Sequence, residues 1–160
     1  MLEKAKQCKS QIEDYNTLLF AIFYHDIIYK ATRKDNELKS AELAQKRMTE
    51  LGVPIEKIKK CFQQIVATQH HAPTEDNDTR YLLDIDMAIL GEDSSTYQKY
   101  ASNVRREYSI YPDLLYKPGR KKVLQNFLKQ DRIFQTAEFY GRFEAQAREN
   151  IKSEILELSS

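Results

Sequence analysis

The chain has 160 residues, of which 41% are hydrophobic, and this is typical of one folded domain rather than of a disordered segment. Its 25 lysines and arginines nearly balance 24 aspartates and glutamates, so the net charge of +1 gives no general attraction to nucleic acid or to an anionic membrane. The chain has no apolar run long enough to span a bilayer, its charged first residues lack the apolar region typical of a signal peptide, and its two cysteines are too few for a disulfide framework. We therefore expect a single cytoplasmic domain over residues 1–160, with reduced cysteines and with neither a membrane nor nucleic acid as its ordinary partner.

The N-terminal part of the chain is predicted to begin with two helices. The spacing of the apolar residues predicts one helix from the N-terminus to Ile12 and a second from about Tyr15. The second helix is expected to run through an apolar segment into the pair His25-Asp26. A loop over residues 29–34 follows.

The next two helices have clear start and stop signals. Asp35 is a good N-cap for a third helix, and Gly52 supplies its C-terminal stop. Pro54 opens a fourth helix at a position where the missing N–H breaks no helical hydrogen bond. The apolar face of the third helix is predicted to contain Leu38, Ala41, Ala44 or Gln45, Met48 and Leu51.

Residues 80–90 are ambiguous between a helix and a strand. The segment is apolar on nearly every side, but apolar and polar residues also alternate over 83–89, as they do in a half-buried strand. We interpret it as a buried helix, because no second strand is evident to pair with it and a lone strand would leave its backbone groups unsatisfied. The polar residues 71–79 before it are predicted to form a loop.

The C-terminal half is predicted to contain several more helices. Ser94 or Ser95 is expected to cap the first of them, residues 112–119 to form a loop, and residues 121–157 to form two or three further helices. The last helix carries an apolar stripe of Phe139, Phe143, Ala147, Ile151 and Ile155. The whole chain is therefore predicted to be an all-α bundle of roughly seven to nine helices.

Three ionisable side chains, those of His25, Asp26 and Asp86, fall within the two most apolar stretches of the chain, with Asp84 beside them. Burying a carboxylate costs several kcal/mol unless it is paired, hydrogen-bonded or bound to a cation. An imidazole nitrogen with carboxylate oxygens suits Mn, Fe, Co, Ni or Zn better than Mg or Ca. The sequence therefore indicates a candidate divalent-metal site. The alternative is that His25 hydrogen-bonds in the core while the aspartates pair with arginine or lysine.

A basic stretch over residues 101–132, with eight basic and three acidic residues, is a candidate for contact with phosphate. Within it, Arg105 and Arg120 have the guanidinium geometry that grips a substrate phosphate. Salt bridges are the alternative for both arginines. Tyrosines in this half are candidates to stack on a base, although ordinary packing is favoured for them: Tyr97, Tyr100, Tyr108 and Tyr116.

Seven segments together carry a resemblance to a known family. They are FYHDIIY (23–29), DNELKSA (35–41), ATQHH (67–71), LDIDMAILG (83–91), VRREY (104–108), YKPGR (116–120) and AREN (147–150). In this order and over nearly the whole chain, they resemble the HD superfamily of metal-dependent phosphohydrolases. The resemblance is greatest to its small, single-domain bacterial branch of predicted phosphohydrolases.

The resemblance implies an all-helical fold with a central metal, held by a histidine from an early helix, the His-Asp doublet and a distant aspartate. The doublet corresponds to His25-Asp26 and the distant aspartate to Asp86, with Asp84 as the second choice. Asp84 and Glu37 are the candidate catalytic residues beside the metal. The alternative for Glu37 is a favourable interaction with the dipole of its helix.

The early histidine has no counterpart in this sequence. Met1 corresponds to a point just after the family's early-His segment, so we expect that piece to be missing, through a late start or truncation or by loss in evolution. His70 and His71 are candidates for a second metal site, or for a ligand that replaces the absent histidine. The alternative is that both are exposed at a helix end.

The resemblance implies a metal-dependent phosphohydrolase for a small phosphorylated or nucleotide-like substrate. Because the early histidine is missing, the alternative is a degenerate HD domain that binds a ligand or a protein without catalysis. A helical nucleic-acid binder ranks last, because acids and two prolines interrupt the basic stretch over 101–132. The oligomeric state stays open, a homodimer included.

Overall fold

The computed structural model describes residues 1–159, which form eight α-helices and no strand over that range. The helices are α1 (Leu2–Gln7), α2 (Tyr15–Tyr24), α3 (Asn36–Glu50), α4 (Ile55–Ala67), α5 (Asn77–Met87), α6 (Ser94–Glu107), α7 (Asp113–Lys129) and α8 (Ala137–Glu157). Two short 3₁₀ helices, Lys9–Gln11 and Ala88–Gly91, follow α1 and α5. The predicted all-α fold of seven to nine helices is confirmed.

The chain divides into two compact units, which meet in sequence at the end of α5. The N-terminal unit ends at Asp86 and the C-terminal unit begins at Met87. Among residues 1–159, every helix is too short or too polar to cross a lipid bilayer.

The N-terminal unit is built on the mutual packing of α2, α3 and α4. The buried face of α3 differs from the predicted one, because Leu38 and Leu51 are exposed while Asn36 and Ser40 are buried. The two polar residues turn inward because their side chains hydrogen-bond the backbone of the segment that follows α2. The main buried apolar side chains are Ala5, Cys8, Leu18, Ala21, Ala41, Ala44, Met48, Ile58, Cys61, Ile65, Leu82, Leu83 and Ile85.

Several helix ends follow the predicted signals and others differ. Gly52 ends α3 with a φ of +69°, a left-handed conformation that glycine adopts without strain. Asp35 lies at the N-cap position of α3 as predicted, but its carboxylate binds Arg33 instead of capping the helix. The helix favoured over a strand for residues 80–90 is present as α5. It begins earlier than predicted, at Asn77, because the Asp76 side chain accepts the Thr79 N–H.

In the C-terminal unit, α8 packs against the 3₁₀ helix Ala88–Gly91 and against α6 and α7. At Gly91 the two elements approach so closely that an added Cβ would lie 2.5 Å from Cβ of Phe143. The predicted stripe of α8 is buried from Phe139 to Ile151 and half-buried at Ile155. Thus the last predicted helix and its core-facing side are both present.

Two predictions for the C-terminal half are wrong. The cap of α6 is Asp93 instead of Ser94 or Ser95, because the Asp93 carboxylate accepts the N–H groups of the next residues. Residues 112–119, predicted as a loop, lie mostly in α7, which contains Pro118. Proline removes the hydrogen bond to the carbonyl of Leu114. Because Leu114 is 85% exposed, solvent can satisfy that carbonyl, and the helix continues.

Candidate metal site in the N-terminal unit

Four ionisable side chains meet in the N-terminal unit, and we call them the His-Asp cluster: His25, Asp26, His71 and Asp86. Nε2 of His25 lies 3.4 Å from an oxygen of Asp26 and 3.5 Å from Oδ1 of Asp86. Nε2 of His71 lies 2.9 Å from the other oxygen of Asp86. The structure thus brings together the three residues predicted to bind a metal, and it adds one of the two candidate replacement histidines.

Three different elements supply these side chains. Because α2 ends at Tyr24, the His25-Asp26 pair lies in the turn after that helix and not inside it as predicted. Asp86 lies in the last turn of α5. His71 follows α4 and has a φ of +50°, the only positive φ of a non-glycine residue among residues 1–159. This conformation costs a residue with a side chain about 1 kcal/mol, so the surrounding structure must hold His71 in place.

The ring of His25 is fixed by the backbone of its own helix. Nδ1 lies 2.9 Å from the carbonyl oxygen of Ile22, and a carbonyl only accepts, so Nδ1 carries a proton. Nε2 is therefore the nitrogen that faces Asp26 and Asp86. A metal-binding histidine is commonly oriented by such a hydrogen bond from its other ring nitrogen to a backbone carbonyl.

The carboxylate of Asp86 is ionised. Burial alone would raise its pKa, but hydrogen bonds and charge from His25 and His71 outweigh burial and hold the pKa well below its usual range. An ionised carboxylate only accepts hydrogen bonds, so Nε2 of His71 donates to it. For His25 burial has the opposite effect and lowers the pKa, yet Asp86 first and Asp26 second outweigh burial and raise the pKa of its imidazole.

Nε2 of His25 therefore requires a positive charge. Without a proton its lone pair would face two carboxylate oxygens at 3.4 and 3.5 Å, which is electrostatically repulsive. A proton on Nε2 removes the repulsion, and so does a cation bound between the three atoms. In shells with bonds of about 2.1 Å, neighbouring donor atoms lie about 3.0 to 3.4 Å apart, close to the separations observed here.

The donor types and their separations therefore fit a divalent transition metal, although the shell is not preformed. Within residues 1–159, no group of three or more His, Cys, Asp or Glu side chains is already arranged to hold a metal ion. The side chain of Asp26 is 59% exposed and that of Asp86 is 24% exposed, so the cluster opens to solvent on the Asp26 side. The cluster is hydrogen-bonded and contains the nitrogen and oxygen donors that divalent metals bind.

Other predicted residues of this unit lie apart from the cluster. Glu37 is half-buried in the first turn of α3 and His70 is exposed after α4, and within the described chain neither forms a hydrogen bond or ion pair with the cluster. Asp84 is buried in α5, where two residues of helix turn its direction about 200° from that of Asp86.

The two arginines predicted to bind a substrate phosphate belong to the C-terminal unit and are already paired. Arg120 forms two parallel hydrogen bonds with the carboxylate of Glu154, at 2.8 and 3.1 Å. Arg105 donates twice to one oxygen of Asp113, at 3.0 and 2.7 Å. These are the salt bridges that the sequence left open as the alternative.

Sequence reasoning missed Glu154, which organises the interior of the C-terminal unit. Besides Arg120, the Glu154 carboxylate accepts the hydroxyl of Tyr97 at 2.5 Å, and burial followed by this contact raises the pKa of that hydroxyl. Glu154, Tyr97, Arg105 and Tyr116 line part of a cavity of about 590 Å³ within this unit. The available signal was a charged residue one turn after Ile151, on the buried stripe of α8.

Comparisons of the chain with protein-family models, with curated proteins and with solved structures found no match. The function of the protein is therefore inferred from the geometry of the His-Asp cluster and from the motifs of the sequence.

Proposed function

We propose that the protein is a metal-dependent phosphohydrolase of the HD type, which acts on a small phosphorylated or nucleotide-like substrate at the His-Asp cluster. The observation that supports this most directly is the orientation of His25. Its Nδ1 is hydrogen-bonded to a backbone carbonyl, and its Nε2 faces two carboxylate oxygens, one from the adjacent Asp26 and one from Asp86, far along the chain. The resemblance of seven sequence segments to the HD superfamily is independent support.

In this proposal His25, Asp26 and Asp86 hold the ion, and His71 supplies a fourth donor in place of the family's early histidine. This mixed nitrogen and oxygen set favours Mn, Fe, Co, Ni or Zn over Mg. Nε2 of His71 now donates to Asp86, so the proton on this nitrogen must move away before His71 can become a ligand. At His25 the pKa is raised and Nδ1 keeps its proton, so a metal would displace the proton on Nε2; metal binding should therefore release protons and strengthen as the pH rises.

The chain's own residues would position the ion and the substrate. When bound, a divalent cation supplies the Lewis acidity that polarises a phosphoryl oxygen and acidifies water. The Ile22 carbonyl orients the imidazole of His25, while the exposed side of Asp26 leaves room for a phosphate to approach. Asp84 and Glu37, predicted as catalytic residues, lie apart from the cluster, so the proposal gives neither of them a role in it.

The test uses metal-free protein, to which Mn, Co, Ni, Zn or Mg is added before assay against a panel of nucleotides and phosphomonoesters. We expect turnover with at least one transition metal, and loss of both turnover and bound metal in Asp86→Asn. The control Asp131→Asn, which changes an exposed aspartate, should keep both. Absence of hydrolysis with every metal, or full activity in a His25→Ala plus Asp26→Ala variant, would overturn the proposal.

A second candidate is a degenerate HD domain that binds a ligand or a protein without catalysis. It is favoured by the absence of a preformed ligand shell among residues 1–159. Elemental analysis of the purified protein separates the two candidates. Metal-free protein whose melting temperature does not respond to added metal would support the second candidate, and a stoichiometric transition metal would support the first.

A further inference from the structure

A phosphate ester bound at the His-Asp cluster requires cationic side chains nearby, because Asp26 and Asp86 repel it. Arg105 and Arg120 are each engaged with a carboxylate of their own unit. The cations of the N-terminal unit, which contains the cluster, are the next candidates. This consideration rests on the proposed function, since it assumes a phosphorylated substrate.

Most cations of the N-terminal unit are already neutralised. Apart from Lys34, every lysine and arginine from Arg33 to Arg80 forms an ion pair with an acid. Within the described chain, Lys30 and Lys34 have no acidic partner, and both are exposed. Lys6 and Lys9 share this property but belong to the N-terminal elements, where Lys9 lies over the ring of Tyr15.

Lys30 and Lys34 lie on a segment that the structure holds at both ends, and we call residues 30–34 the basic segment. At its start, the Asn36 side chain accepts the N–H of Lys30 at 3.1 Å and donates to its carbonyl at 3.0 Å. At its end, the amide of Gln69 donates to the carbonyl of Lys34 at 2.7 Å. A turn bond from the N–H of Arg33 to the Lys30 carbonyl closes the segment.

These attachments join the basic segment to the elements that carry the cluster. Ile28, two residues after Asp26, is held by Ser40 through its N–H and its carbonyl. Gln69 lies in the same turn as His71, which contacts Asp86. The backbone between the two lysines is therefore fixed relative to both histidine-bearing turns. Holding the backbone lowers the entropy that an exposed lysine loses when it binds an anion.

We propose that Lys30 and Lys34 bind the phosphate group of the substrate and that they, instead of Arg105 and Arg120, set the preference for a dianionic phosphate. Arg33, between them, does not serve, because Asp35 neutralises it with two hydrogen bonds of 2.8 and 2.9 Å. Two ammonium groups match the charge of a phosphomonoester dianion. Neutral or singly charged diesters should therefore be poorer substrates.

The test compares the Lys30→Ala plus Lys34→Ala variant with the control Lys46→Ala plus Lys59→Ala, which removes the same charge from exposed positions on α3 and α4. Inorganic phosphate is titrated into each full-length protein and followed by NMR, with and without Mn²⁺. Hydrolysis of p-nitrophenyl phosphate is measured with the activating metal at constant ionic strength. Thermal melts establish that each variant is folded.

We expect the Lys30/Lys34 variant to weaken phosphate binding and to raise KM by about five- to tenfold, the size expected for two exposed charge contacts. Its kcat should change little, and the control should match the wild type.

Equal effects in the two variants would overturn the inference while leaving the hydrolase proposal intact. If phosphate binding depends on Lys30 and Lys34 but the protein hydrolyses no substrate, the anion site is supported and the proposed hydrolase function is overturned. A wild type that neither binds phosphate nor hydrolyses the ester would overturn both.

Discussion

Each unit of the molecule places a carboxylate between two partners, and the two clusters are neutralised in different ways. Glu154 in the C-terminal unit lies between Tyr97 and the guanidinium of Arg120, which stays charged at every ordinary pH. Asp86 in the N-terminal unit lies between the imidazoles of His25 and His71, and the charge of His25, whose pKa is raised, depends on pH. The Glu154 cluster is complete without any added group. The His-Asp cluster requires a proton or a bound cation to balance its carboxylates. It can therefore exchange a proton for a cation, which the Glu154 cluster, already neutralised by Arg120, cannot do.

The largest loss of stability should come from a substitution in the Glu154 cluster. The side chains of Arg120 and Glu154 are 10% and 7% exposed, so Glu154→Gln would leave a nearly buried guanidinium without its counter-charge. We expect unfolding by denaturant to show a loss of about 3 to 5 kcal/mol, the usual cost of breaking a buried ion pair.

The matched control is Asp113→Asn, which removes the acidic partner of Arg105 from an exposed ion pair. It should cost about 1 kcal/mol or less. An equal loss in the two variants would mean that Arg120 has enough solvent or other partners without Glu154, and the contrast between the two clusters would then disappear.

A second buried carboxylate of the N-terminal unit, that of Asp78, can be compared with Asp86. Asp78 has a side-chain exposure of 0% and accepts the N–H groups of Glu13 and Asp14 and a hydrogen bond from Lys60, all within 2.9 Å. Burial alone would raise its pKa, but Lys60 and the two backbone donors outweigh burial and lower it. Asp78 is thus a fully compensated acid in the same unit as the His-Asp cluster.

We expect Asp78→Asn to reduce the free energy of unfolding at pH 7 by about 2 to 3 kcal/mol, as for hydrogen bonds to a charged group. Because folding lowers the pKa of Asp78 below the ordinary value of 3.8, its contribution to stability is present above that pH and is lost as the pH falls through the folded-state pKa. Urea unfolding at pH 7, 5 and 3 should therefore show the wild type approaching the variant at low pH. Parallel pH profiles would contradict this assignment.

Local signals in the sequence predicted much of the fold and two residues that the fold brings together in the candidate site. Periodic apolar residues and Gly52 predicted the main helices, and the cost of burying charge singled out His25 and Asp86, which the fold brings together. The helix through Pro118 was not predicted, because proline usually interrupts a helix. The sequence does not show that Leu114, whose carbonyl loses its hydrogen bond, is exposed to solvent.

Other features depend on contacts between residues far apart in sequence. The partnership of Arg120 with Glu154 joins α7 to α8, and the attachment of Lys34 to Gln69 joins two turns. Composition showed that both arginines and lysines were available to bind phosphate. Only the pairing pattern distinguishes the cations that are already neutralised from Lys30, which has no acidic partner within the described chain.

The smallest effect concerns Gln64, a buried polar group that belongs to neither cluster. Within the described chain its amide nitrogen and oxygen are both buried without a hydrogen-bond partner. An unpaired buried polar group costs about 1 to 3 kcal/mol, so we expect Gln64→Met, which keeps the length of the side chain, to raise the free energy of unfolding by about 1 kcal/mol. Because the amide carries no charge, the gain should be the same at pH 5 and pH 8 and with or without Mn²⁺, unlike any change made in the His-Asp cluster. A loss of stability instead would mean that a bound water or ligand pairs the amide, and a gain that varied with Mn²⁺ would connect Gln64 to the metal site.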